Sequence, residues 1–222
     1  MNAGGSTPRR IAVLASGRGS NLQAILDAIA EGRLAAELAG VFSDKPGAHA
    51  LERVPEPLRW SADAKSFPFR EAFDAALADA VEAAAPDWIV CAGYMRILGA
   101  DFVRRFRGRL LNIHPSLLPK YRGLHTHRRA LEAGDTEHGA SVHFVVPELD
   151  AGAVIAQVRI PVLPGDSPET LAERLLPREH RLLIDVLALC LSGRVAERVD
   201  GVAFDGHPLF TPLQLDCDAL TD

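Results

Sequence analysis

The chain has 222 residues, 48% of them hydrophobic, and a formal net charge of −5. That length builds one well-buried core with at most a small appendage, and the charge excludes a general attraction for nucleic acid or anionic membrane. The three cysteines, Cys91, Cys190 and Cys217, are far apart and odd in number, which argues against a disulfide framework or a metal cluster and suits a reducing cytoplasm.

Residues 1–10, MNAGGSTPRR, read as a disordered tail, because they hold no hydrophobic segment of the kind a signal peptide needs. IAVLAS (11–16) predicts a buried strand. NLQAILDAIAEG (21–32) predicts a helix with Leu22, Ile25, Leu26 and Ile29 on one face and Gly32 as its stop. LAGVFS (38–43) reads as a second strand and FREAFDAALADAVEAAA (69–85) as a second helix. WIVCAGY (88–94) and LLNIH (110–114) are further apolar strands, with a helix predicted over 97–106 between them. The arginines at 104, 105, 107 and 109 read as a solvated face. No apolar run reaches the roughly 20 residues that a membrane span requires.

Strands that are apolar throughout and alternate with helices imply a parallel sheet covered on both faces. ASVHFVV (140–146) and VIAQVRIPV (154–162) follow one another with no helix between them, so they are expected to add to the sheet antiparallel. A long helix is predicted over 167–191, kinked or broken by Pro177, with Gly193 after it. The fold class is therefore α/β: a Rossmann-like, mostly parallel twisted sheet with helices on both faces and an antiparallel C-terminal extension. Residues 11–193 are expected to form one domain, and 194–222 a tail.

Chemistry concentrates where strands end, since ligands of such sheets bind beyond the carboxyl ends of the strands. SGRGSN (16–21) joins the first strand to the first helix. Gly17 and Gly19 permit a tight turn and a close backbone approach, and Ser20 or Asn21 is placed to cap the helix. The loop reads either as a phosphate site or as a capped turn. A dinucleotide fingerprint needs a third glycine where Leu22 stands, and no Lys-Ser/Thr pair makes it a P-loop.

At the end of LLNIH, Asn112 and His114 point to one face, two residues apart, and Pro115 stops the strand. An amide and an imidazole are costly to bury without partners. Asp150, in a turn before the next strand with Gly152 close by, is read either as an ordinary Asp turn or as the carboxylate that orients His114. His114, His125, His127, His138 and His143 crowd one segment, but no cysteine joins them and the spacing fits no zinc motif, so no metal is expected. His143 reads as a satisfied strand histidine or as a partner that supports a site residue.

Together these residues resemble the phosphoribosylglycinamide formyltransferase family, the folate-dependent kind, from about Ile11 to Gly193. LASGRGSNLQAI, CAGYMRIL, GRLLNIHPSLLPKYRGLHTHRRALEAGDTEHGASVHFVVPELDAGAVIAQ and the pair Glu179-His180 carry the likeness in order. Asn-x-His-Pro-Ser-Leu-Leu-Pro followed by Asp-x-Gly resembles the formyl-group enzymes that use 10-formyltetrahydrofolate, and KYRGLHTH points to the glycinamide ribonucleotide branch.

The resemblance implies that Gly19, Ser20 and Asn21 hold the substrate's ribose 5-phosphate and that Glu179 contacts its glycinamide end. It implies a folate pocket of Arg70, Met95, Arg96, Ile97, Leu98 and Asn112. It implies that Asn112, His114 and Asp150 perform the transfer. The amine attacks the formyl carbon and charge gathers on the formyl oxygen, so donors must be aimed there, each worth roughly 3 kcal/mol. Neither a metal nor a covalent intermediate is required.

The implied partners are two small molecules, with no nucleic acid and no membrane, in a cytoplasmic monomer or homodimer. Two relatives with the same core are rivals. A methionyl-tRNA formyltransferase is expected to carry a further C-terminal domain and more positive charge, and a formyltetrahydrofolate hydrolase an N-terminal regulatory domain. A third alternative is a non-catalytic folate- or phosphate-binding module, against which the full set Asn112, His114 and Asp150 argues.

Overall fold

The computed structural model describes residues 8–215 and 220–221. Most of the expected N-terminal tail, and Cys217, lie outside the described residues. The strands are β1 (Arg9–Leu14), β2 (Ala36–Ser43), β3 (Arg59–Ser61), β4 (Trp88–Cys91), β5 (Leu110–His114), β6 (Glu137–Phe144), β7 (Val154–Pro161), β8 (Val195–Arg198), β9 (Gly201–Phe204), β10 (His207–Leu209), β11 (Leu213–Leu215) and β12 (Leu220–Thr221). The helices are α1 (Ser20–Ala30), α2 (His49–Glu52), α3 (Arg70–Ala83), α4 (Ala100–Arg105), α5 (Thr126–Glu132) and α6 (Pro168–Leu191).

One sheet runs in the order β12-β11-β7-β6-β5-β4-β1-β2-β3. Neighbours from β3 through β5 are parallel, and β6 and β7 add antiparallel. Successive residues of β1 go to opposite faces: Ile11 and Val13 pack with α1 and α6, while Ala12 and Leu14 pack with α3 and α4. Both faces are buried, which is why the strands carry no polar alternation. Each buried Leu, Ile or Phe contributes about 1.5–3 kcal/mol relative to exposure. The chain leaves β1 toward β2 on one side and later enters β4 on the other. The reversal opens a crevice between the carboxyl ends of β1 and β4.

Three expectations differ from what is observed. The helix predicted over 97–106 is confined to Ala100–Arg105: Gly99 is its N-cap, with an extended backbone, and its N–H donates to Asp74 Oδ2 at 3.0 Å. Pro177 does not divide α6; it and Glu173, whose carbonyl its missing N–H would have bonded, are both exposed, so water can satisfy that carbonyl. Much of the expected C-terminal tail is ordered. Strands β8, β9 and β10 form a small antiparallel sheet, and β11 pairs parallel with β7. Its anchors are Val195, Val202, Leu213 and Leu215, all buried. They lie on strands of three or four residues, too short for a period to register.

Candidate active site

Strand β5 delivers Asn112 and His114, and its antiparallel register with β6 sets Asn112 opposite His143. Asn112 Nδ2 lies 3.1 Å from His143 Nε2. The His143 Nδ1 atom is 2.7 Å from the Phe144 carbonyl, which can only accept, so Nδ1 carries the hydrogen. Burial pushes the His143 pKa down to about 4. The ring is therefore neutral near pH 7, its Nε2 is a lone pair, and Asn112 donates to it. His143, read from the sequence as a satisfied strand residue or a partner standing behind the site, thus fixes which way the amide points.

Asp150 enters from the turn between β6 and β7 with φ +46°. Its Oδ2 accepts from the Gly123 N–H at 2.8 Å and stands 3.4 Å from His114 Nδ1. Its Oδ1 stands 3.4 Å from Asn112 Nδ2. Both 3.4 Å contacts exceed the roughly 2.7–2.9 Å of a charge-assisted hydrogen bond. Gly152 makes this turn possible, because a Cβ there would meet the Phe144 carbonyl oxygen at 1.8 Å. The Asp-x-Gly spacing is thus a packing requirement as well as a chemical one.

The His114 ring is held at its other nitrogen. Nε2 lies 2.9 Å from the Tyr121 carbonyl. That carbonyl is positioned by the segment 115–121, which folds back on the sheet. Leu118 N–H donates to Ser141 Oγ at 3.1 Å, Ser141 Oγ donates to the Ser116 carbonyl at 2.7 Å, and Gln157 Nε2 donates to the Leu118 carbonyl at 2.9 Å. Tyr121 Oη and Lys120 Nζ both donate to Asp135. Tyr121 and Gly123 act through backbone atoms, so no side-chain pattern could have announced them.

Arg96, Ile97, Leu98, Asn112, His143 and Asp150 line one cavity, together with Cys91, Tyr94 and the segment 145–149. Tyr94 Oη and Arg96 Nε are buried there without a hydrogen-bond partner. Burial pushes the Cys91 thiol up to about 12, so it stays protonated and is no nucleophile. Arg70 lines an adjoining groove with Ile97 and Leu98, and its guanidinium donates to the Ile97 carbonyl. Met95 is 58% exposed and belongs to neither lining. Its N–H donates to Ser16 Oγ at 2.9 Å, which ties the cavity wall to the glycine loop.

That loop turns at Gly19, whose φ is +74°. A Cβ at Gly19 would stand 2.8 Å from Ala50 Cβ. Neither Ser20 nor Asn21 caps α1; the N-cap is Gly19 itself, without a side-chain bond, and the first turn holds no acidic residue. The free N–H groups of that turn favour an anion. Asn21 Oδ1 is buried and unpartnered.

Glu179 lies on α6, buried, and joins none of the contacts among Asn112, His114 and Asp150. Burial raises its pKa to about 7. Above that value the folded chain carries a buried charge, so Glu179 costs stability as pH rises from its ordinary 4.5 through 7. Glu179→Gln removes the cost. Its melting temperature is expected to exceed that of the parent chain by more at pH 8 than at pH 5. Thermal unfolding at the two pH values checks this, and an equal shift at both would contradict it.

His127 Nδ1 and His138 Nε2 meet at 2.9 Å. Among the described residues no group of three or more His, Cys, Asp or Glu could hold a metal ion. Among them, too, no helix is long and apolar enough to cross a membrane.

A family model described as Formyl transferase matches residues 9–187. The phosphoribosylglycinamide formyltransferase of Escherichia coli strain K12 is 47% identical over 201 residues, covering 90% of this chain and 95% of that protein. The solved phosphoribosylglycinamide formyltransferase of Coxiella burnetii superposes with a TM-score of 0.86 at 45% identity, over 91% of this chain and 96% of that one. A formyltetrahydrofolate deformylase from Pseudomonas syringae pv. tomato has a TM-score of 0.80 at 26% identity, and 66% of its length is covered, against 90% of this chain.

Proposed function

The chain belongs to the formyl transferase family, and from that membership we infer that it transfers the formyl group of 10-formyltetrahydrofolate to the amine of glycinamide ribonucleotide, a step of de novo purine biosynthesis. The working unit extends past residue 193 to β11 of the main sheet and acts on two small molecules in the cytoplasm. The free, buried Cys91 and Cys190 suit that reducing compartment.

The observation that carries the reading is the pair of 3.4 Å contacts from Asp150 to Asn112 Nδ2 and His114 Nδ1. Asn112 Nδ2 is a donor throughout, and His114 Nδ1, opposite the nitrogen that donates to the Tyr121 carbonyl, is a donor in the imidazolium form; neither is tightly bound by the carboxylate. An oxygen arriving between them finds donors already aligned, at no reorganisation cost. In the transfer, the amine lone pair bonds to the formyl carbon and the carbonyl electrons move to oxygen. They return as the bond to the folate nitrogen breaks. The amine loses one proton and the departing nitrogen gains one. Asn112 and His114 donate to the charged oxygen, and Asp150 moves the proton through water.

We read the cavity beside Asn112, His114 and Asp150 as the folate site. Ile97 and Leu98 offer apolar wall to a flat ring, and Tyr94 Oη and Arg96 Nε can meet its polar edge. Arg70 belongs to the adjoining groove and Met95 is exposed outside both linings. Gly19, Ser20 and Asn21 take the ribose 5-phosphate at the start of α1, and Glu179 receives the glycinamide end.

The test separates the two substrates. Asn21→Ala is expected to raise the KM for glycinamide ribonucleotide by about tenfold, the worth of one charge-assisted hydrogen bond, with the folate KM unchanged. An equal rise for both substrates would mean damaged folding or a misplaced phosphate site.

A further inference from the structure

A helix start supplies only about half a positive charge, whereas a phosphate monoester carries roughly −1.5 to −2 near pH 7. The glycine loop has no P-loop lysine to make up the difference. The loop carries one cation of its own, the exposed Arg18, and the residue that ends α2, Arg53, is brought against it as a second. The Ala50 N–H donates to the Gly17 carbonyl at 3.0 Å, which docks α2 against the loop. Arg53 then reaches across. Its Nε donates to the Arg18 carbonyl and its Nη1 to Gln23 Oε1, both at 2.8 Å. Gln23 lies in the first turn of α1, and its N–H bonds the Gly19 carbonyl at 2.9 Å. A Cβ on Gly19 would stand 3.2 Å from Arg53 Nε, so the guanidinium is beside the loop's turning point.

The charge of Arg53 is not spent on a carboxylate. Among the described residues it makes no salt bridge: its neighbour Glu52 faces His49 at 3.4 Å, and the Gln23 amide, not Arg53, bonds Asp27. The side chain is also exposed to solvent at the loop.

We propose that Arg53 is a cation of the phosphate-holding loop, beside Arg18, and the residue that fixes its shape, so that it sets affinity for the ribonucleotide and not for the folate. The proposal rests on reading the loop at 16–21 as the phosphate site. Guanidinium suits the role because its planar fork can hold two backbone-linked acceptors while a further N–H faces a phosphate oxygen.

The experiment is steady-state kinetics on the purified full chain and on Arg53→Ala, Arg53→Lys and Asn21→Ala, with inorganic phosphate as a competitive inhibitor. Arg53→Ala is expected to raise the ribonucleotide KM and the phosphate inhibition constant together by about tenfold, with kcat and the folate KM within about twofold. Arg53→Lys keeps the charge without the fork and should recover part of the loss. If Arg53→Ala changes neither constant while Asn21→Ala raises the KM, the loop reading stands and the role of Arg53 is refuted. If neither variant changes the KM, the phosphate-site reading fails and takes the proposal with it. If Arg53→Ala lowers kcat, both affinities and the melting temperature alike, Arg53 is only a brace and the proposal is overturned.

Discussion

Asp150→Asn is expected to cut kcat by about two to four orders of magnitude, the range that positioned proton transfer contributes. The fold should tolerate the change. Asparagine is nearly isosteric and accepts the left-handed backbone of position 150, where φ is +46°. Its side-chain oxygen can still accept from the Gly123 N–H, now 2.8 Å from Oδ2. What disappears is the charge between His114 and Asn112 and the base that moves the proton. His114→Ala should lose most activity as well, since it removes one of two donors and the partner of Asp150. The double variant should be little worse than the worse single one, because residues acting as a unit are not additive. Turnover of the four forms decides this, with equilibrium binding of a folate analogue as control. Losses that multiply would separate the two residues mechanistically, and near-normal turnover in Asp150→Asn would remove Asp150 from the mechanism.

Asn112→Ala should lower kcat by about a hundred- to a thousandfold, as the loss of one oxyanion donor does. It also strands the His143 lone pair, buried with 2% exposure, so some loss of stability should accompany it. Asn112→Asp separates the two effects. It fills the same volume but places a second carboxylate beside Asp150, where negative charge must gather in the transfer. Its kcat is expected to fall at least as far as that of Asn112→Ala. A kcat for Asn112→Asp near that of the parent chain would show that the amide is a packing residue.

The sequence read the parallel half of the sheet well because the buried stretches of β1, β2 and β4 are apolar on both faces, β5 departs from this only at Asn112 and His114, and the strands are punctuated by glycine, proline or a charged helix. It also picked out Asn112, His114 and Asp150, which the fold brings to 3.4 Å of one another in the Asp150 contacts. Distance along the chain hid what else surrounds them. The Tyr121 carbonyl and the Gly123 N–H are backbone groups, placed by positive φ angles of 55° and 78° in the segment after β5. The role of His143 depends on the β5–β6 register, which periodicity does not fix. Helix α2, four residues long, was unreadable for lack of a period, and with it the reach of Arg53 to the glycine loop.

The most direct measurement is acceptor dependence. The purified chain is given 10-formyltetrahydrofolate with glycinamide ribonucleotide, with methionyl-tRNA, or with water alone, and tetrahydrofolate release is followed. Release should require the ribonucleotide, run at least about a hundredfold faster with it than without, and match formylated ribonucleotide one for one. Release at the same rate in water alone would make the chain a hydrolase and contradict the transfer.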